Sequence, residues 1–134
     1  MPVYLDYNAT TPLGDEVLEA MLPYLRSGFG NPSSAHLFGR EAKAALENSR
    51  ERIAEALNCQ RTQVVFTSCG SEANNFFIKG AAGYLKPSQL MISAIEHPSV
   101  AKPALSLTRS GWSVRKILVD GHGLIDMQDV EEGL

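Results

Sequence analysis

With 134 residues, 44% hydrophobic, 20% charged and a formal net charge of -3, the chain has the make-up of one globular domain with a real core. That charge balance excludes long-range attraction to nucleic acid or anionic membrane, and no apolar run approaches the roughly 20 residues needed to span a bilayer. The N-terminus "MPVYLDYNATTP" has no basic stretch leading into an apolar one, so the expected location is the cytoplasm.

A short strand is predicted at Val3–Tyr7, followed by "NATTPLGDE", whose Pro12 and Gly14 break structure before Asp15 caps a helix. Val17, Leu18, Met21, Leu22 and Leu25 recur at helical spacing, with Pro23 bending that helix and Ser27-Gly28 ending it. "GFGNPSSAH" at 28–36 is rich in turn formers. Behind it Ala42, Ala45, Leu46, Ser49, Ile53 and Leu57 mark a long helix.

From there the pattern alternates. A strand at Val64–Thr67, a helix from Ser71 to Tyr84, a strand at Leu90–Ala94, a helix from Pro98 to Arg109 and a strand at Ser113–Val119 follow in order. "DGHGLID" makes a turn, and Asp126 with Asp129 caps a last helix that puts Met127, Val130 and Leu134 on one face. Alternation of this kind predicts an α/β fold with a parallel-type sheet and covering helices. No repeat, low-complexity tract or polar linker divides the chain.

Within "FTSCGSEANN", residues 66–75, a strand is expected to pass through Gly70 into a helix. Unpaired N–H groups and the helix dipole there favour an anion, Gly70 admits close approach to the backbone, and the Ser71 hydroxyl either caps the helix or donates to a phosphate oxygen. Many such turns bind nothing. His97, at the end of the next strand in "EHPSV", should share one rim with that turn, because ligands of open α/β sheets sit at the carboxyl ends of strands. An ionisable ring beside an anion-binding turn suits a planar phosphorylated cofactor; an ordinary loop histidine is the plain alternative.

Five blocks, "YLDYNATTP" (4–12), "FGNPSSAH" (29–36), "VVFTSCGSEANN" (64–75), "EHPSV" (96–100) and "DGHGLID" (120–126), together resemble the N-terminal part of a cysteine desulfurase. The family is similar in fold to the aspartate aminotransferases, fold type I among pyridoxal phosphate enzymes. The resemblance implies a partial large domain: residues 1–14 form an N-terminal segment near the active site, and 15–134 the first part of the cofactor-binding domain. It implies removal of sulfur from L-cysteine, leaving alanine and an enzyme persulfide for iron–sulfur cluster assembly or other acceptors. Pyridoxal 5'-phosphate would be held by Gly70 and Ser71, with His97 stacked on its ring and assisting proton transfer. Asn8, Ala9 and Thr10 would approach the substrate side.

The family's Schiff-base lysine, its nucleophilic cysteine, the aspartate at the pyridine nitrogen and the arginine for the substrate carboxylate all lie beyond position 134. The chain alone is therefore expected to be inactive and to need a partner, as a homodimer or with a complementing half; sulfur-acceptor or scaffold proteins are further partners that the family implies. A non-catalytic α/β module that binds phosphate or the cofactor weakly is the alternative. Lys43, Lys79, Lys86, Lys102 and Lys116 match no motif and read as solvated groups. Cys69 and Cys59 read as structural, His36 and His122 as loop histidines, and Glu72 as a carboxylate that caps the helix it opens.

Overall fold

The computed structural model describes residues 2–134, which fall into two compact units, one reaching to Val65 and the other running from Phe66 to Leu134.

In the first unit, helix α1 spans Asp15–Arg26 and α2 spans Leu37–Ala56. Gly14, in extended conformation, is the N-cap of α1, and Asp15 lies one residue inside, where with Glu16 it complements the helix dipole. The expected Asp15 cap is thus corrected by one position. The Pro23 carbonyl accepts the N–H groups of Ser27 (3.0 Å) and Gly28 (2.9 Å), closing the helix where Ser27-Gly28 was expected to stop it.

The turn-rich segment folds against the start of α2. His36 is the N-cap, its Nδ1 accepting the Gly39 N–H at 3.3 Å, and Phe29 stacks on Phe38 with ring centroids 5.3 Å apart. Gly30 has φ +153°, and a Cβ there would stand 2.4 Å from the Phe38 carbonyl oxygen, so only glycine fits. Ala54 is the buried apolar anchor of α2. A 3-10 turn at Arg61–Gln63 follows, and Arg50 donates to the Val64 carbonyl at 3.2 Å.

The second unit holds α3 (Gly70–Tyr84), β1 (Gln89–Ser93), α4 (Pro98–Ser106), β2 (Ser113–Ile117) and α5 (Met127–Glu131). The strands pair in parallel, with Gln89 opposite Ser113 and Ser93 opposite Ile117, and α4 lies in the crossover that a parallel pair requires. Ile92, Ala104, Leu107 and Ile117 are its buried apolar residues. The expected α/β class and parallel pairing are therefore present. Asp126 caps α5, its Oδ1 accepting the Gln128 N–H at 3.0 Å.

Several elements differ from expectation. Among the described residues the sheet consists of β1 and β2, and neither Val3–Tyr7 nor Val64–Thr67 joins it as a strand, since β-favouring residues become one only within a ladder. Val3 and Leu5 stay 79% and 85% exposed. Helix α4 stops at Ser106 and tightens into a 3-10 turn over Leu107–Ser110. There the Ser106 and Thr108 hydroxyls donate to the Pro103 (2.7 Å) and Leu105 (2.8 Å) carbonyls. Gly111, at φ +85°, then turns the chain into β2. Helix α5 ends before Leu134, which is exposed, and Asp129 binds Arg115 and the Leu118 N–H (2.9 Å) instead of completing a capping box.

Candidate functional site

The site grows from two helix N-termini in the second unit. Cys69 is the N-cap of α3, in extended conformation, which leaves the first-turn N–H groups of Gly70, Ser71 and Glu72 outside the helical ladder. Glu72 folds back: its Oε2 accepts the Ser68 N–H at 2.6 Å and the Ser68 hydroxyl at 2.7 Å. Those two donors, the backbone one foremost, hold its carboxyl below the usual range. Its charge is spent on the preceding turn, in agreement with the structural role expected for it.

The Cys69 thiol is also held below its ordinary value, by the Glu72 N–H first, then the Ser68 hydroxyl and the Ser71 N–H. The turn thus stabilises negative charge on its own sulfur. Beside it, Gly70 faces open space, with nothing within 4 Å of where a Cβ would stand.

His97 is the N-cap of α4, and Pro98, lacking an N–H, fills the first helical position. The ring Nδ1 accepts the Ser99 N–H at 3.1 Å and lies 2.8 Å from the Ser99 hydroxyl. Asn74 of α3 donates from Nδ2 to that hydroxyl oxygen at 2.9 Å, tying the two helices together. Between them runs an open groove of about 460 Å³, whose lining includes Ser71, Asn75, His97, Ser99, Lys79 and Lys102.

The structure therefore brings Ser71 and His97 to one groove, with Gly70 adjoining Ser71 in the chain. Asn8, Ala9 and Thr10 belong to the other unit, in an exposed turn where Asp6 accepts the Ala9 N–H at 3.1 Å and the Tyr4 hydroxyl lies 3.3 Å from the Thr10 carbonyl. All five lysines are exposed. Sequence reasoning grouped Lys79 and Lys102 with the rest, although spacing carried a signal: Ser71, Asn75 and Lys79 are four apart, as are Pro98 and Lys102. Asn74 and Ser99 were missed as well. Their pairing spans 25 positions and has no local signature.

A profile of the aminotransferase class-V family matches residues 3–134. The chain is 46% identical to a cysteine desulfurase IscS of Dictyoglomus turgidum, over 98% of this chain and 34% of that protein. It is 41% identical to cysteine desulfurase IscS 1 of Archaeoglobus fulgidus, over 96% of this chain and 34% of that one. Among solved structures, a NifS-like protein superposes over 100% of this chain and 37% of its own at a TM-score of 0.89 and 35% identity. The apo structure of the cysteine desulfurase from Thermococcus onnurineus NA1 does so over 97% and 33%, at 0.83 and 27%. The chain spans about a third of the length of these relatives. It belongs to the aminotransferase class-V family, and its relatives there are cysteine desulfurases.

Proposed function

We propose that this chain is part of a pyridoxal phosphate-dependent cysteine desulfurase, which takes sulfur from L-cysteine, leaves L-alanine and passes a persulfide to acceptor or scaffold proteins of iron–sulfur assembly. The observation that carries the reading is the shared groove of Ser71 and His97, at the N-termini of two helices joined by the Asn74–Ser99 bond. Its donors suit a phosphate. The turn already favours negative charge at Cys69, the Glu72 carboxylate is turned back onto Ser68, and Ser71 lines the groove together with Lys79 and Lys102.

On this reading Gly70 and Ser71 hold the phosphate through backbone N–H and hydroxyl, and His97 lies against the pyridine ring. When bound, the cofactor supplies an electron sink for negative charge that develops on the substrate α-carbon. Residues 15–134 are the first part of the cofactor-binding domain. The substrate-side role of Asn8, Ala9 and Thr10 is carried over from the resemblance alone.

An absorbance titration of the purified chain with pyridoxal phosphate tests this. Saturable binding weakened about tenfold or more by Ser71→Ala supports it, since a hydrogen bond to a charged group contributes about 1.5–3 kcal/mol. Binding that Ser71→Ala leaves unchanged overturns the assignment. The same chain with L-cysteine should release neither alanine nor sulfide.

A further inference from the structure

We propose that Asn74 and Ser99 are positioning residues that fix His97 in the tautomer with its proton on Nε2, so that the ring offers the groove a hydrogen-bond donor. The direction of the relay follows from one bond whose polarity is not in question. The Ser99 backbone N–H points at His97 Nδ1 at 3.1 Å, and a backbone N–H only donates, so Nδ1 is the acceptor. The Ser99 hydroxyl, 2.8 Å from the same nitrogen, must then donate to it also. Having given its proton to the ring, that oxygen accepts from Asn74 Nδ2 at 2.9 Å, which sets the Asn74 amide with its nitrogen toward Ser99. Asn74 and Ser99 are half-buried whereas His97 is exposed, so the relay is the fixed part and the ring its outer end.

The chemical consequence is directional. With Nδ1 accepting from Ser99 at the start of α4, Nε2 of the neutral imidazole carries the hydrogen and can donate it to a ligand atom. His97 therefore presents a ligand with a hydrogen-bond donor or a stacking face. This rests on the reading that the groove beside Ser71 and His97 receives the cofactor, but the tautomer itself does not.

The test is a long-range proton–nitrogen correlation spectrum of the full chain with 15N-labelled histidine, near pH 8.5, about two units above the ordinary histidine value. The three ring systems are assigned by single His→Gln substitutions. His97 should show one tautomer, Nε2 pyrrole-like and Nδ1 pyridine-like. In Asn74→Asp the carboxylate accepts the Ser99 hydroxyl proton, so the backbone N–H is left as the one donor to Nδ1 and the Nδ1 resonance should move toward that of a more weakly bonded nitrogen. Ser99→Ala should move the Nδ1 resonance toward that of an unbonded nitrogen, and Ser99→Thr, which keeps the hydroxyl, should restore it. A mixture of tautomers or an Nδ1–H ring in the wild type overturns the proposal, as does an Asn74→Asp spectrum identical to it. Should Asn74→Asp lose the amide fingerprint of the folded chain, the Ser99→Ala and Ser99→Thr pair decides, and equal spectra for those two overturn it. Failure of the pyridoxal phosphate titration with the tautomer intact removes the cofactor reading alone.

Discussion

Asp129 of α5 grips β2 and the residue that follows it, with one carboxylate oxygen on the Arg115 guanidinium and the other on the Leu118 N–H at 2.9 Å. The backbone donor first, and Arg115 second, hold its carboxyl below the ordinary value of 3.8. A depressed carboxyl gives stability that is fully present above the unfolded value and is lost as pH falls through the folded one. Denaturant melts should therefore show the second unit losing stability as pH drops below about 3.8. Asp129→Asn should lower stability at pH 7 and flatten that acid limb; an unchanged limb would show that other carboxylates set it.

Two glycines should respond oppositely to alanine. At Gly30 the positive φ and the Phe38 carbonyl 2.4 Å from a Cβ leave no room, so Gly30→Ala should cost roughly 2 kcal/mol or more of stability. Gly70 faces open space, and Gly70→Ala should change the melting midpoint little while weakening pyridoxal phosphate binding, because the added methyl stands where the phosphate would approach. Equal affinity in that variant would remove Gly70 from the site.

Cys69 is exposed and its thiol is held below the usual range, whereas Cys59 is half-buried. Alkylation by iodoacetamide followed by peptide mass spectrometry should label Cys69 first, with its rate rising at a lower pH than for an ordinary thiol. Cys69→Ala should leave pyridoxal phosphate affinity unchanged, in keeping with a bystander thiol; a large loss would give the sulfur a part in the turn.

Legibility in the sequence followed the range of the interactions. Helices α1, α2 and α3 and strands β1 and β2 were readable because apolar spacing and breakers such as Pro98 act within a turn or two. Val64–Thr67 was misread because β-favouring residues form a strand only within a ladder, and the sheet of the described residues consists of β1 and β2. Ser71 and His97 were paired on the expectation of two strand ends on one rim, whereas the groove they line lies where α3 packs on α4. Asn74 and Ser99 needed the packing of α3 on α4, which no local pattern encodes, while Lys79 and Lys102 carried only the four-residue spacing.

The second unit leaves much apolar surface uncovered, and this bears on the partner proposed for the chain. Phe76 and Phe77 on α3 are 64% and 75% exposed, and Leu124 is 67% exposed. Among the described residues the two-stranded sheet also carries an open edge on each strand. Such faces and edges associate in water. Sedimentation velocity on the isolated chain should show a weight-average mass that rises with concentration over the micromolar range. Phe77→Glu, which places a charge on the exposed ring position without touching Ser71 or His97, should reduce that rise and leave the circular dichroism spectrum of the chain unchanged. A single monomeric species at all concentrations would show that neither these rings nor the sheet edges recruit a second copy, and the homodimer proposal would fall while that of a complementing half would stand to be tested by mixing.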